Sequence, residues 1–263
     1  MRKAVIISDI HLSGRDGPLP RLLRLFLQRV PDGARLIIAG DLFDFYVGLN
    51  PKDPSSEALA EMLRPLSSRG ISCEFMAGNR DFLIGQRDAG FFSMRLLPEY
   101  EVLNARHGSA LLIHGDELCG NDKSFQRFRA LGRNRIARFL FLALPYSIRT
   151  RIGLAIRQKS KNADPMRDSA PQRYGLVGTC ATVLMRRYGV NTIIHGHFHR
   201  FGDTRDTLFE GSRLLCLGCW GAKFSYAVFG EGGARAWEFP ASALENGDPL
   251  PELRDAPSRS ETD

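Results

Sequence analysis

In Val190-Asn191-Thr192-Ile193-Ile194-His195-Gly196-His197-Phe198-His199, an apolar run leads directly into three histidines. The apolar part predicts a short buried strand. Residues two apart at the end of a strand share one face, so His195 and His197 can direct two imidazoles at one point. Gly196 between them allows a tight turn. Imidazoles are frequent ligands of transition metals, so the pattern favours a metal site, with a loop of hydrogen-bonded histidines as the alternative.

Four upstream segments show the same arrangement, in which an apolar strand is followed by a carboxylate, an amide or an imidazole. A strand predicted at 4–8 is followed by Asp9 and His11, and one at 35–39 by Asp41 and Asp44. A strand predicted at 71–76 is followed by Asn79, Arg80 and Asp81, and one at 109–113 by His114 and Asp116. Helical periodicity at 20–30 and 55–68 separates the first three strands. This alternation predicts an α/β fold with parallel strands, in which ligand sites lie beyond the carboxyl ends of the strands.

Residues 123–161 interrupt the alternation with eleven Lys and Arg residues and no Asp or Glu. The segment also holds an apolar run at 139–144, and its periodicity predicts helices that are interrupted near Pro145. We interpret it as a helical cap, inserted at about 122–169, that covers the strand ends. A solvated cationic face is the alternative interpretation of this basic segment. Beyond it we predict a helix at 176–188 and a meandering antiparallel half with strands at 207–209, 213–217, 223–229 and 234–239.

Length and charge favour one main domain at 1–240 followed by a short tail. The chain has 263 residues and a net charge of +7. Residues 241–263 are acidic and rich in Pro and Ser, which predicts a loose tail. No uncharged apolar run reaches the roughly 18 residues of a membrane-spanning helix. Five cysteines at irregular spacing are typical of a reducing compartment.

The polar residues at the predicted strand ends form a set of metal-ligand types. The candidate ligands are Asp9, His11, Asp41, Asn79, His114, His195 and His197. Hard oxygens mixed with imidazoles, without a thiolate, suit Mn²⁺, Fe²⁺ or Zn²⁺ better than Ca²⁺. Seven ligands are too many for one ion and about right for two, with a carboxylate such as Asp41 as the bridge. Two such ions can activate a water and neutralise the oxygens of an in-line phosphoryl displacement.

These motifs resemble the five sequence blocks of the calcineurin-like metallophosphoesterases over about residues 4–240. The blocks are Asp9-x-His11, Gly40-Asp41-x-x-Asp44, Gly78-Asn79-Arg80-Asp81, His114-Gly115-Asp116 and His195-Gly196-His197-x-His199. The resemblance implies an α/β/β/α sandwich of two mixed sheets with a helical cap insertion. It also implies that Asp9, His11, Asp41 and His197 hold one ion, and that Asp41, Asn79, His114 and His195 hold the other.

Within that superfamily the chain resembles the UDP-2,3-diacylglucosamine hydrolases of lipid A synthesis. The resemblance rests on Gly78-Asn79-Arg80-Asp81-Phe82-Leu83, on His114-Gly115-Asp116-x-Leu118-Cys119, and on a basic helical insertion that contains Phe139-Leu140-Phe141-Leu142-Ala143-Leu144-Pro145. It implies an Mn²⁺ enzyme, with Fe²⁺, Zn²⁺ or Mg²⁺ as substitutes. The enzyme would cleave the substrate's pyrophosphate to UMP and diacylglucosamine 1-phosphate, with a water activated by two metals.

The resemblance and the position of the cap also assign residue roles. Catalytic roles are expected for Asp41, Asn79, Arg80, His114 and His195. Substrate contacts are expected for Asn79, Arg80, Phe82, Asp122, Phe141, Arg157, Ser160, Asp164, Arg167 and His195.

The expected partners are a lipid nucleotide sugar and an anionic membrane surface, with the protein bound peripherally to the cytoplasmic face of the inner membrane. The sequence leaves the oligomeric state open. Alternatives are a paralogue that hydrolyses another nucleotide pyrophosphate or phosphodiester, a nuclease, and a scaffold without activity. No nucleic acid is expected, because the cap's apolar run is rich in aliphatic residues and lacks the aromatic stacking pattern of single-strand binders. A scaffold would show degenerate ligands, whereas all seven positions here carry competent types.

Overall fold

The computed structural model describes residues 2–50, 53–106, 108–120, 123–162 and 174–254, and for 159–162 and 174–176 it describes the backbone only. The first sheet has six strands, in the spatial order Gly233–Pro240 (β11), Lys223–Gly230 (β10), Ala4–Ile7 (β1), Arg35–Ala39 (β2), Ser72–Met76 (β3) and Arg95–Leu96 (β4). Strands β1 to β4 are parallel, and β10 pairs antiparallel with both β1 and β11.

The second sheet has five strands, in the order Glu101–Ala105 (β5), Gly108–Leu112 (β6), Thr192–His195 (β7), Arg213–Cys216 (β9) and Gly202–Arg205 (β8). Its three central strands are parallel, and the edge strands β5 and β8 are antiparallel to their neighbours. Both sheets are therefore mixed, as the resemblance implied.

Alternate residues of β1 contribute to different cores, which shows how the layers stack. Val5 and Ile7 belong to a core shared with the helices Pro18–Arg29 (α1) and Pro54–Leu63 (α2). Ala4 and Ile6 belong to a core between the two sheets. A strand that is buried on both faces reads as a continuous apolar run, which explains why the short strands could be found in the sequence.

Helices cover the outer faces of both sheets. The helix α2 continues as a 3₁₀ helix at Arg64–Arg69, and Gln86–Phe91 (α3) follows β3. Residues of Tyr174–Tyr188 (α7) form a third core with the outer face of the second sheet. The architecture is therefore the predicted α/β/β/α sandwich.

The segment predicted as a cap is helical. It forms Lys123–Arg133 (α4), Arg135–Ala143 (α5) and Tyr146–Asn162 (α6). The side chain of Asn134 caps α5 by accepting the N–H groups of Ile136 and Ala137. The break between α5 and α6 lies at Leu144 and Pro145, as predicted. Among the described residues, no helix is both long and apolar enough to cross a lipid bilayer.

The strand prediction was wrong at 207–209. That segment is a turn in which Ser212 Oγ accepts the N–H groups of Leu208 and Phe209, and Asp206 Oδ1 accepts that of Gly211. Such side-chain bonds offer the backbone an alternative to a strand ladder. The strand of this region is instead β8, and β9 pairs parallel with β7 rather than in a meander.

The tail prediction was wrong for the part of 241–263 that the structure describes. A short helix forms at Ser242–Asn246 (α8), and Ala243, Leu244 and Leu250 are buried in the core shared with α1. The guanidinium of the buried Arg29 donates to the carbonyl oxygens of Asp248 and Arg254. Apolar residues spaced among acidic ones therefore anchor this segment. Residues 255–263 lie outside the described part.

We expect Leu244→Ala to destabilise the protein by about 2–3 kcal/mol, because the substitution leaves a cavity in a packed core. Denaturant unfolding of the purified variant measures this change. Glu245→Ala on the same helix is the matched control, because the Glu245 side chain is exposed and pairs loosely with Arg21 at 3.6 Å. Equal stability of the Leu244 variant and the wild type would contradict the packing of α8.

Candidate metal centre

The candidate ligands occupy a recurrent position relative to the strands. Asp9 and His11 lie two and four residues after the end of β1 at Ile7. Asp41 and His114 each lie two residues after the ends of β2 and β6. Asn79 lies three residues after the end of β3 at Met76. The loops that follow these four strands thus meet at one edge of the sandwich, as expected for a site of this fold class.

Five residues of this region have left-handed backbones, although none is a glycine. The φ angles are 54° at Asp9, 56° at His11, 53° at Asp41, 69° at His197 and 56° at His199. Such a conformation costs about 1–3 kcal/mol for each residue and is retained where the surroundings impose it. Here backbone hydrogen bonds from Asp9 N to Gly40 O and from His11 N to Asp41 O impose it. Strain concentrated in this way is typical of a functional site.

The first group of ligand atoms comes from Asp9, His11, Asp41 and His199, and these atoms lie within 4.8 Å of one another. The Nε2 atoms of His11 and His199 are 3.0 Å apart. The Nε2 atom of His199 is also 3.5 Å from Asp9 Oδ1. Convergent nitrogen and oxygen atoms of this kind suit a divalent cation.

The second group meets at the side chain of Asn79. Its Oδ1 atom lies 2.9 Å from His197 Nδ1 and 3.1 Å from His114 Nε2. The Nδ1–H group of His114 donates to Ala39 O at 2.8 Å, which leaves the Nε2 lone pair for a metal. Asp41 Oδ1 is 3.5 Å from the same Nε2 atom. Asp41 therefore borders both groups, as a bridging carboxylate would.

The structure adds a histidine of the last block to the two that we expected as ligands. His197 and His199 join the two groups, and His195 remains an expected ligand. His195 is the last residue of β7 and lies on the same face as Ile193, which packs with the α7 core. Its Nδ1–H group donates to Gly196 O at 3.0 Å. This bond leaves the Nε2 lone pair of His195 available, as the bond to Ala39 O does for His114, so His195 stays a candidate ligand.

A signal for His199, to which we assigned no role, is present in the sequence. His197 and His199 lie two and four residues after the end of β7, the same spacing that Asp9 and His11 have after β1. Applying the spacing of the first block to the last would have added His199 to the candidate ligands.

Two of the ligand imidazoles are neutral at neutral pH. Burial, together with the charge of Arg80, lowers the pKa of His11 to about 3. Burial and the neighbouring His114 lower the pKa of His197 to about 3. Neutral imidazoles keep a lone pair for a metal. His114 differs: burial lowers its pKa, but the carboxylates of Asp41, Asp9 and Asp116 outweigh that effect and raise it to about 9. In the metal-free protein His114 is therefore protonated at neutral pH, and its Nε2 proton has to leave before that nitrogen binds a metal.

Buried carboxylates make the centre a favourable site for cations. Asp9, Asp41 and Asp81 are almost completely buried. Burial and the carboxylates of Asp81 and Asp9 raise the pKa of Asp41 to about 7. Buried anions of this kind are stabilised by paired cations or by coordinated metals. The donor types and this charge fit two divalent ions. Asp9, His11, Asp41 and His199 would hold one ion, and Asp41, Asn79, His114 and His197 would hold the other, with His195 as a further candidate ligand.

A network of arginines joins the centre to the cap. Arg80 Nε lies 3.1 Å from Asp41 Oδ2, and its Nη1 lies 2.5 Å from Asp44 Oδ1. Arg157 of α6 contacts the same oxygen of Asp44 at 2.6 Å. Arg80 and Arg157, which are both expected to contact the substrate, thus lie together where the cap meets the body. Asp44, to which the sequence assigned no role, holds them there.

Asp81 is a further residue whose role the sequence did not reveal. Its carboxylate accepts the N–H groups of Gly78 at 2.8 Å, Leu42 at 2.7 Å and Asp41 at 3.3 Å. These bonds fasten the loop after β3 to the loop after β2. Asp81 therefore fixes the position of Asp41 relative to Asn79.

The other residues with expected substrate contacts differ in position. Phe82 is partly buried, and its ring lies edge-on to Phe128 of α4 at 6.2 Å. Phe141 packs against the main core rather than facing outward, because α5 lies on the body along this side. Four further residues with expected substrate contacts have side chains outside the described part: Asp122, Ser160, Asp164 and Arg167. Of Ser160 the structure describes the backbone only.

Residues 2–201 match the calcineurin-like phosphoesterase family. A protein of Edwardsiella ictaluri named UDP-2,3-diacylglucosamine hydrolase is 34% identical, covering 92% of this chain and 94% of its own. A protein of Neisseria meningitidis serogroup B with the same name is 40% identical, covering 84% of this chain and 90% of its own. The solved structure of TT1561 from Thermus thermophilus covers 91% of this chain and 99% of its own, at 13% identity and a TM-score of 0.44.

Proposed function

Because the chain belongs to the calcineurin-like phosphoesterase family, we propose that it is a two-metal hydrolase of UDP-2,3-diacylglucosamine. The reaction cleaves the pyrophosphate to UMP and diacylglucosamine 1-phosphate. The observation that carries this proposal is that a buried group of metal-ligand side chains lies next to a cap that exposes large apolar side chains. A substrate with a pyrophosphate and two acyl chains needs both surfaces side by side. The identity with relatives of that name, over most of both chains, supports it.

The donor set supports Mn²⁺ as the metal, with Fe²⁺, Zn²⁺ or Mg²⁺ as substitutes. When bound, two such ions supply positive charge to the phosphoryl oxygens and lower the pKa of water. The side chains of the protein provide the remaining contributions, which are to position the ligands and to stabilise charge. Asp81 holds Asp41 in place, and Asp44 orients the guanidinium of Arg80 toward the centre. An oriented guanidinium there can stabilise the charge that develops on the phosphoryl group.

Apolar side chains are concentrated on the outer side of the cap. Ile136 is 70% exposed, Phe139 72% and Leu140 60%. Arg135 and Arg151 are also exposed, and within the described part of the chain neither has an ion-pair partner. Exposed apolar residues beside cations are typical of a helix that lies in an anionic lipid interface. We therefore place the protein on the cytoplasmic face of the inner membrane, bound peripherally through the cap.

Other arginines of the cap have a structural role. Arg129 and Arg133 form ion pairs with Glu99, Asp116 and Glu117 of the body. The acids that the basic segment itself lacks are therefore supplied by the body. The cap's positive charge is only partly available to a membrane or substrate.

We expect Phe139→Asp to weaken both liposome binding and turnover of the diacylated substrate by about 10- to 100-fold, since the substitution removes about 1.5–3 kcal/mol of apolar burial. Sedimentation with vesicles that contain anionic lipid, together with release of UMP, measures the two effects. Hydrolysis of a small soluble phosphodiester should be unchanged, because the metal ligands lie outside the cap.

Phe141→Asp is the matched comparison for this prediction. Phe141 packs against the core, so its substitution should lower the thermal stability, which Phe139→Asp should not. Unchanged vesicle binding and turnover in the Phe139 variant would contradict the assignment of the exposed face.

Turnover of UDP-2,3-diacylglucosamine, compared with a UDP-sugar that lacks acyl chains, tests the substrate. We expect cleavage of the diacylated substrate to be preferred by about 100-fold or more, in line with two buried chains. Equal rates on both would favour a paralogue acting on another nucleotide pyrophosphate. Cleavage of single-stranded DNA at a comparable rate, with a steep salt dependence, would favour a nuclease.

A further inference from the structure

The imidazole of His197 is fixed on the side that faces away from the metal centre. Its Nδ1 atom faces Asn79 Oδ1 at 2.9 Å, within the second ligand group. Its Nε2 atom lies 3.4 Å from the sulfur of Cys119. The backbone N–H group of His197 donates to the Asp9 carboxylate at 3.0 Å, which fixes the base of the side chain. A thiol therefore meets the ring nitrogen on the side opposite to Asn79.

Cys119 is itself positioned by the first helix of the cap. It follows a 3₁₀ turn at Asp116–Leu118. The side chain of Gln126 on α4 donates to Cys119 O at 3.1 Å and to Asp116 O at 2.9 Å. The ring of Phe125, also on α4, lies over the His197 ring at 5.8 Å and 28°. The same helix thus holds both the thiol and the face of the imidazole.

We propose that Cys119 is a positioning residue of the metal centre, whose sulfur accepts the Nε2–H group of His197 and so directs Nδ1 toward the second ion. The inference rests on the metal centre proposed above. A neutral imidazole has one N–H group, and a partner for that group sets both the tautomer and the orientation of the ring. Loss of such a partner typically lowers metal affinity by about 10–100-fold. Sulfur is a weak acceptor, so we expect the lower end of that range.

Cys119→Ala removes the acceptor, and Cys119→Ser restores one on a shorter side chain. Cys180→Ala is the matched control. Cys180 is another half-buried cysteine, on α7, and its sulfur lies close to Gly120, the residue next to Cys119. Mn²⁺ titration of metal-stripped protein gives the affinities of both ions, and thermal unfolding of the metal-free variants reports on the fold.

In Cys119→Ala we expect the affinity for one of the two ions to fall by about tenfold. The other ion and the metal-free Tm should be unchanged, and Cys119→Ser should recover most of the loss. Unchanged affinities in Cys119→Ala would overturn the inference. So would an equal loss in Cys180→Ala, or a loss accompanied by a lower metal-free Tm. Failure of the wild type to bind a second ion would instead overturn the metal centre itself, and the inference with it.

Discussion

Asp41→Asn should abolish metal-dependent turnover, with a loss of at least about 10³-fold, or about 4 kcal/mol of transition-state stabilisation. Asp41 borders both ligand groups: its Oδ1 atom lies 3.5 Å from His114 Nε2, and the residue also belongs to the group with Asp9, His11 and His199. One substitution therefore replaces the carboxylate shared by both groups with a neutral amide, which has a single oxygen and bridges two ions poorly. Release of UMP measures the turnover, and elemental analysis measures the metal content, which should also fall.

The fold of this variant should survive in the metal-free protein. Burial and neighbouring carboxylates raise the pKa of Asp41 to about 7, so the negative charge is already disfavoured in the folded state at neutral pH. Replacing it with a neutral amide of the same shape should leave the metal-free Tm unchanged or slightly higher. Activity close to that of the wild type in Asp41→Asn would be incompatible with a bridging carboxylate.

The pair of variants His199→Gln and His195→Gln should show which imidazoles of the last block hold a metal. His199 Nε2 lies 3.0 Å from His11 Nε2, so its loss should lower Mn²⁺ affinity and turnover by about 100-fold or more. The Nδ1–H group of His195 donates to Gly196 O, which leaves Nε2 for the expected ligand role, so its loss should lower Mn²⁺ affinity by a similar factor. Mn²⁺ titration and steady-state turnover of the two proteins provide the comparison. Unchanged affinity in either variant would remove that histidine from the ligand set.

The sandwich could be predicted from the sequence because its buried strands are continuous apolar runs, each ending in a polar residue. The strand β1 and the loop with Asp9 and His11 show this most clearly. The short edge strands β4 and β8 carry no such signal, since they are exposed or partly exposed. The helix α8 was missed because Leu244 and Leu250 lie among acidic residues that suggested a loose tail.

The residue types of the candidate site could be predicted from the sequence, but the arrangement of their side chains in space could be predicted less well. Every residue type of the two groups was predicted, but His199 was missed, because the side chains of the last block that reach the centre depend on where β7 ends. Sequence patterns place that boundary only to within a few residues. Asp81, Asp44 and Cys119 were missed as supporting residues for a different reason. They act through contacts with residues distant in sequence, which a local pattern does not contain, and for Cys119 this role is the one proposed above.

Mn²⁺ titration of metal-stripped protein, with release of UMP from UDP-2,3-diacylglucosamine followed at each step, tests the two-metal hydrolase most directly. We expect no turnover in the presence of a chelator and a rise in turnover that reaches its maximum at about two ions per chain. Full turnover by the metal-free protein, or a maximum reached at one ion with no further gain from a second, would contradict the account.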